Sequence, residues 1–169
     1  MDWPKIETVT SVRLRLEPLS MEHALGMVEV LADASLYEYT GGEAPSLEQL
    51  QRRYAAQLVE QSEDGLQRWF NWIVKLKHSD APIGFVQATV EQSGPELVAN
   101  IAWVISPLHQ GQGIASEATN AMNSWLRSKG VNSFVAYVHP AHFASIGVAR
   151  NQGLHPTLML EDGEVRWES

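Results

Sequence analysis

The sequence predicts an α/β fold: one mixed α+β sheet with helices packed on it. Three observations carry this reading. Apolar and polar residues alternate over Val12–Leu16 and Trp69–Lys77, the period of half-buried strands, and Ile83–Glu91 and the apolar run Leu97–Ile105 read as two further strands. Apolar residues recur at helical spacing over Ile114–Lys129. A turn holding two glycines, Gly111-Gln112-Gly113, joins the last of those strands directly to that helix.

The elements follow in order. Val12, Leu14 and Leu16 share the buried face of a first strand, with Arg13 and Arg15 opposite and Pro18 as its end. Ser20 is the N-cap of a helix whose apolar side carries Met21, Leu25, Val28 and Leu31. Tyr37 to Gly42 reads as a loop. Ser46 and Gln49 have capping-box spacing, and Leu47, Leu50, Tyr54 and Leu58 follow as one helical stripe. Ser62 to Gly65 breaks the chain before the next strand. Phe70, Trp72, Val74 and Leu76 form one face of that strand, so strand alternation accounts for the aromatic run from Trp69 as core. Short turns at Ser79–Pro82 and Gln92–Pro95 make this strand and the next two an antiparallel meander. After the glycine turn, Ile114, Ala118, Met122 and Trp125 face the core until Gly130 stops the helix. Phe134–Val138 must return parallel to the strand before the turn. Ala144–Gln152 is a short helix stopped by Gly153, and Leu154–Leu160 with Val165–Trp167 closes a hairpin across Glu161-Asp162-Gly163.

With 169 residues, no repeats and no long linker, residues 1–169 form a single domain with its core over about 12–168. Twelve basic against twenty acidic residues give a formal charge of −8, which argues against nucleic acid as a partner and suits a cationic one. There are no cysteines, which excludes disulfides, thiolate metal sites and a cysteine nucleophile. No apolar run approaches the roughly 20 residues that span a bilayer. The opening Met1-Asp2-Trp3-Pro4-Lys5 lacks the basic and apolar stretches of a secretion signal, so a cytoplasmic protein without membrane contact is expected.

The chemistry concentrates at Ser106-Pro107-Leu108-His109-Gln110-Gly111-Gln112-Gly113-Ile114-Ala115. The glycines let main chain approach a ligand, and the helix behind them aims free N–H groups and a positive dipole end at it. That is a phosphate cradle. The loop lacks the Gly-Lys-Ser/Thr ending of nucleotide triphosphatases. Ser116 is a poor third small residue for a dinucleotide fingerprint, and no βα unit opens the chain. The spacing that fits is Gln/Arg-x-x-Gly-x-Gly/Ala, met by Gln110, Gly113 and Ala115.

This loop resembles the pyrophosphate loop of the GNAT acetyltransferases, and other segments are similar to the RimJ/RimL branch that acetylates ribosomal-protein N-termini. These are Val12–Leu19, Ile83-Gly84, Ile101-Ala102-Trp103 with Pro107, Glu117-Ala118, His142-Phe143-Ala144-Ser145, and Gly153-Leu154. The resemblance implies the GNAT fold: a central, mostly antiparallel sheet with one splayed parallel strand pair and helices on both faces. It implies acetyl-CoA as cofactor and a primary amine as acceptor, a peptide N-terminus or a small amine, in a monomer or homodimer. Trp103, Val104 and Ile105 would border the pantetheine arm, and His109, Gln110, Gly111, Gln112, Gly113, Ile114 and Ala115 the pyrophosphate. His142 and Ser145 would lie near the sulfur. The catalytic candidates are Ser145 as a proton relay, the N–H of Val104 or a neighbour as oxyanion donor, and His139, which follows the parallel strand toward the acceptor. His142 is also a candidate helix cap. Tyr37, Glu38, Tyr39 and Glu43 would form the acceptor wall.

Some positions depart from the family pattern. His142 replaces an Asn, Ala149 stands where many members have a proton-donating Tyr, Asn100 replaces a Glu and Asn151 a Lys. They keep open a non-catalytic acyl-CoA-binding module as rival to the enzyme. His139, Pro140 and His142 do not make a metal site, since no carboxylate or third ligand stands nearby in sequence.

Overall fold

The computed structural model describes residues 2–169; Met1 lies outside them. Eight strands form one sheet: β1 (Val9–Thr10), β2 (Leu14–Pro18), β3 (Gln67–Leu76), β4 (Pro82–Ser93), β5 (Glu96–Ile105), β6 (Val131–Val138), β7 (His155–Glu161) and β8 (Glu164–Glu168). The helices are α1 (Ala24–Val30), α2 (Leu47–Gln57), α3 (Ile114–Ser128) and α4 (Phe143–Asn151). The strand order is β1-β2-β3-β4-β5-β6-β8-β7, and among the described residues only β5 and β6 run parallel.

Turn chemistry sets the registers. The β4–β5 hairpin closes on Gly94-Pro95, with Gly94 at φ +60° as a tight two-residue turn requires. The β7–β8 hairpin closes on Asp162-Gly163, both at positive φ, the twist that matches paired strands. Ser46 caps α2 by accepting from the Gln49 N–H, and the Gln49 side chain accepts from the Ser46 N–H in return.

Two apolar layers flank the sheet. Leu14, Leu16, Phe70, Trp72, Val74, Val86 and Ile101 meet Ala118, Met122 and Leu126 of α3 and Ala149 of α4. On the other face Ile73, with Phe85 and Val104 beside it, meets Ala24, Met27 and Leu31 near α1 and Leu50 and Tyr54 of α2. Trp125 sets its ring edge-on to Phe70 and Trp72, 5.3 Å from each.

Two expectations are corrected. Val12 is 88% exposed, because the first strand begins at Leu14 and runs to Pro18. The helical stretch after Ser20 opens as a 3-10 turn, Met21–His23, with three residues per turn instead of 3.6. That rotates the buried stripe onto Ala24, Met27 and Leu31 and leaves Leu25 71% exposed.

Candidate active site

The parallel pair opens partway along. Leu97, Val98, Ala99 and Asn100 pair with Val131, Ser133, Phe134 and Val135, and pairing stops there. Beyond Asn100, β6 keeps only its other neighbour, β8. Ile101–Ile105 therefore has no strand on its β6 side. A sheet does not waste such groups inside a fold; they suit an extended, amide-bearing ligand that supplies the missing bonds.

Gly84 on β4 shows how β5 is shaped there. A Cβ at this position would lie 2.1 Å from the Val104 carbonyl oxygen and 2.9 Å from Ile105 Cδ1. The Val104 carbonyl thus rests against β4. A trans peptide holds C=O and the next N–H on opposite sides, so the Ile105 N–H points away from β4, toward the open side.

The glycine turn closes one end of the gap. Gly111 and Gly113 both have φ +76°, and Gly113 occupies the N-cap of α3 with no side chain capping it. The first N–H groups of α3 stay available to an anion. The Gln110 amide folds back instead and donates to the Ile105 carbonyl at 2.9 Å, bracing the loop on β5. The His109 N–H bonds the Ser106 carbonyl at 2.9 Å, while its buried Nδ1 has no partner.

Arg13 is a loop residue the sequence did not single out. It donates from Nη1 to the Gln112 carbonyl at 2.9 Å and from Nε to Glu117 at 3.2 Å. Glu117 also accepts from the Ser11 hydroxyl. The segment just before β2 and the first turn of α3 thereby hold the loop between them. The local pattern of Arg13 suggests only a solvated strand face; its partners lie about a hundred residues away, at a separation of 104 for Glu117.

A connected row of side chains also stands at the gap. Trp103 Nε1–H donates to Ser145 Oγ at 3.3 Å, across from β5 to α4. Ser145 Oγ lies 3.3 Å from His142 Nε2. Since Oγ already accepts from Trp103, its own proton is free to point at a neutral imidazole. The His142 ring stacks on Tyr39, centroids 4.6 Å apart, and Tyr39 also tilts against His139 at 5.3 Å. Burial holds the His142 pKa below its ordinary value; the charge of His139 adds to this and Glu38 opposes it.

The structure thus brings Trp103, Ser145, His142, His139 and Tyr39 together. Capping by His142 is overturned: its side chain makes no cap bond and is turned to Ser145. Tyr37 leaves the row, donating its hydroxyl to the Leu31 carbonyl at 2.7 Å. Ala149, one turn after Ser145, is fully buried in the core. Asn151 ties α4 to α3 through the Ser116 hydroxyl at 2.9 Å. Among the described residues, no cluster of three or more His, Asp or Glu is placed to hold a metal, and no helix is long and apolar enough to cross a membrane.

The geometry fits a long anionic cofactor with an amide-bearing arm. An uncapped helix end would take its phosphates, and an unpaired strand would take its amides. Comparison with known proteins agrees. A family model described as an acetyltransferase (GNAT) domain matches residues 13–155. No curated protein sequence matches the chain significantly. Among solved structures, an acetyltransferase from Salmonella typhimurium that modifies the N-terminal serine of ribosomal protein L7/L12 superposes with a TM-score of 0.76, at 16% identity over 96% of this chain and 98% of that one. A GNAT-family acetyltransferase from Bordetella pertussis gives 0.73 at 20% identity, over 96% and 98%. A RimL ribosomal-protein α-N-acetyltransferase in complex with coenzyme A gives 0.74 at 16% identity, over 96% and 97%. The gap between β5 and β6 is thus the splayed pair of a known fold, and the chain belongs to the GNAT family as an acetyl-CoA-dependent N-acetyltransferase.

Proposed function

We propose that the acceptor is the α-amine of a peptide or protein N-terminus. Acetyl-CoA supplies an activated acetyl thioester. On this reading the N–H groups from Gly111 to Ala115 hold its pyrophosphate, and Trp103, Val104 and Ile105 border its arm. The oxyanion donor is Val104 or its neighbour, and the carbonyl of Val104 against Gly84 favours the neighbour, Ile105. On the same reading Ser145 would pass its hydroxyl proton to the departing sulfur and regain one through His142, which takes up the proton that the acceptor amine loses. His139 lies beside Tyr39 and on this reading would face the acceptor.

The observation that carries the acceptor is the weakness of the bases. The ionisable groups in the row are imidazoles and a phenol, and the imidazole bonded to Ser145 is held below its ordinary pKa. An α-amine loses its proton near pH 8 and lysine near 10.4, a difference of about 2.4 units. Weak bases therefore favour the α-amine. The similarity to enzymes that modify ribosomal-protein N-termini points the same way.

The test compares a peptide with a free α-amine and no lysine against a matched, N-terminally blocked peptide with one internal lysine. Mass spectrometry after equal exposure to enzyme and acetyl-CoA should show the α-amine acetylated faster. Preferential labelling of lysine, or of small amines alone, overturns the N-terminal reading and leaves the acetyltransferase in place.

A further inference from the structure

A cavity of about 270 Å³ lies under α2, on the sheet face opposite α3. In water volumes that is room for about nine molecules, enough for a small organic group. Its floor is Asn71 and Ile73 of β3 with Phe85 and Gln87 of β4. Its roof includes Tyr54, and Arg53 stands at the exposed rim.

Three features give this cavity a chemistry. Tyr54 is 4% exposed, and its buried hydroxyl has no hydrogen-bond partner. A buried donor left unpaired costs about 1–3 kcal/mol, so a ligand oxygen that accepts from it would be favoured there. Burial pushes the Tyr54 pKa up to about 12, which keeps the phenol protonated as a donor. Arg53 makes no ion pair or side-chain hydrogen bond among the described residues, and its charge is felt at Tyr54. The lining contains no carboxylate at all. A second cation would gain nothing here, whereas an anion would meet a free guanidinium and a free phenol.

The cavity also lies beside the reacting region. Phe85 in its floor pairs directly with Val104 across β4 and β5, and Gln87 pairs with Ala102. Neighbouring strands are about 4.8 Å apart, so the floor of the cavity is one strand from the edge of the gap.

We propose that this cavity is a specificity pocket for the acceptor, and that it takes an arm ending in a carboxylate. Apolar carbons of the arm lie on Ile73, Phe85 and Leu50, and the carboxylate meets Tyr54 and Arg53. The inference rests on the amine-acceptor reading above and adds to it the group next to the amine. That group has two sources: the acidic first side chain of a peptide, or the carboxylate of a small amino acid. It runs against the expectation, drawn from the net charge, of a preference for basic acceptors. The local lining is cationic although the whole chain is acidic.

The experiment measures kcat/KM for matched peptides beginning with Glu, Gln, Leu or Lys, and for free amino acids, with intact enzyme and acetyl-CoA. Glu-first peptides should exceed Gln-, Leu- and Lys-first peptides by roughly tenfold, the size of one charge-assisted hydrogen bond. Arg53→Gln should cut the Glu-to-Leu ratio about tenfold, and Arg53→Glu should reverse the Glu-to-Lys preference. Tyr54→Phe should lower the same ratio, and circular dichroism reports whether it folds. Arg53 is exposed, so its variants test the idea even if Tyr54→Phe does not fold. Equal rates for the four peptides, or ratios unmoved by both Arg53 variants, overturn the pocket and leave the N-terminal reading intact. Acetylation of free amino acids but of no peptide overturns the N-terminal reading, and the same Arg53 ratios then decide the pocket with glutamate against leucine.

Discussion

Replacing Gly84 by alanine tests whether the shape of β5 at the gap is built or incidental. The added Cβ would stand 2.1 Å from the Val104 oxygen, 2.9 Å from Ile105 Cδ1 and 3.0 Å from Ile105 Cα. Carbon–oxygen contacts relax near about 3.3 Å, so β4 and β5 must separate there by about 1.2 Å. Two of the three opposing atoms are backbone, so no side-chain rotation relieves the clash. Overpacking of this kind costs about 1–3 kcal/mol, and the rigid neighbours place Gly84→Ala in the upper half of that range. For a chain of this length each kcal/mol lowers Tm by about 2–4 °C, so a fall of about 4–12 °C follows. The atoms that must move include the peptide bearing the Ile105 N–H, and a misplacement of about 1 Å at a reacting centre costs on the order of 100-fold in rate. Calorimetry gives the Tm, and thiol release from acetyl-CoA with a fixed acceptor gives kcat/KM. Gly147→Ala is the control, since a Cβ at Gly147, inside α4, meets nothing within 4 Å; it should stabilise by up to about 1 kcal/mol. Gly84→Ala with wild-type Tm and wild-type kcat/KM would refute the reasoning.

Three further outcomes follow from the same geometry. Gly113→Val puts a β-branched residue at φ +76° on the α3 N-cap; a folded variant should show no coenzyme A binding by titration calorimetry. Ser145→Ala should lower kcat by about tenfold or more, less than the roughly 100-fold of a strong general acid, with acetyl-CoA affinity unchanged. Glu17 is held down to about 2, chiefly by its hydrogen bond to Lys75 at 2.8 Å, with His23 and Arg15 adding and burial opposing. Its folded pKa is depressed, so its contribution is complete above about pH 4.5 and is lost as pH falls toward 2; denaturation of Glu17→Gln across that window should show a flatter acid limb than wild type.

The parts of this molecule legible in sequence are those that local physics decides. Gly111 and Gly113 announce a left-handed turn, and the apolar stripe from Ile114 announces the helix behind it. Strand β3 shows its face by alternation because Phe70, Trp72, Val74 and Leu76 pack against a single layer. The stripe of α1 misleads because a 3-10 turn shifts its phase, and nothing in Met21-Glu22-His23 signals three residues per turn. The brace of Arg13 on Gln112 and Glu117 is invisible because it joins distant segments. The Ile83-Gly84 dipeptide is readable as a family signature, yet its cause, a carbonyl from the adjacent strand, exists only once β4 and β5 are paired. The cavity under α2 is hidden for the same reason: Arg53 and Tyr54 look like ordinary helix positions until the strand floor is beneath them.

The substitutions in α4 have a common physical logic on the proposed mechanism. A tyrosine at Ala149 would have to displace core, because that position is wholly buried against the sheet. A proton route must then start from the side chain that reaches the gap one turn earlier, Ser145. A lone serine is a poor acid, and its use depends on a partner that can take and return a proton near neutral pH. His142 in place of asparagine supplies one: an amide side chain hydrogen-bonds but does not titrate, while an imidazole does both. The stack on Tyr39 fixes the ring, and the lowered pKa keeps it neutral at rest, able to accept from the Ser145 hydroxyl. His142→Asn restores the family residue and keeps a polar group there, so loss of bonding and loss of titration separate. With chemistry rate-limiting, the variant should keep its acetyl-CoA affinity and lose the acid limb of the kcat–pH profile. An acid limb that survives in His142→Asn would assign the titration elsewhere and leave Ser145 without its proton partner.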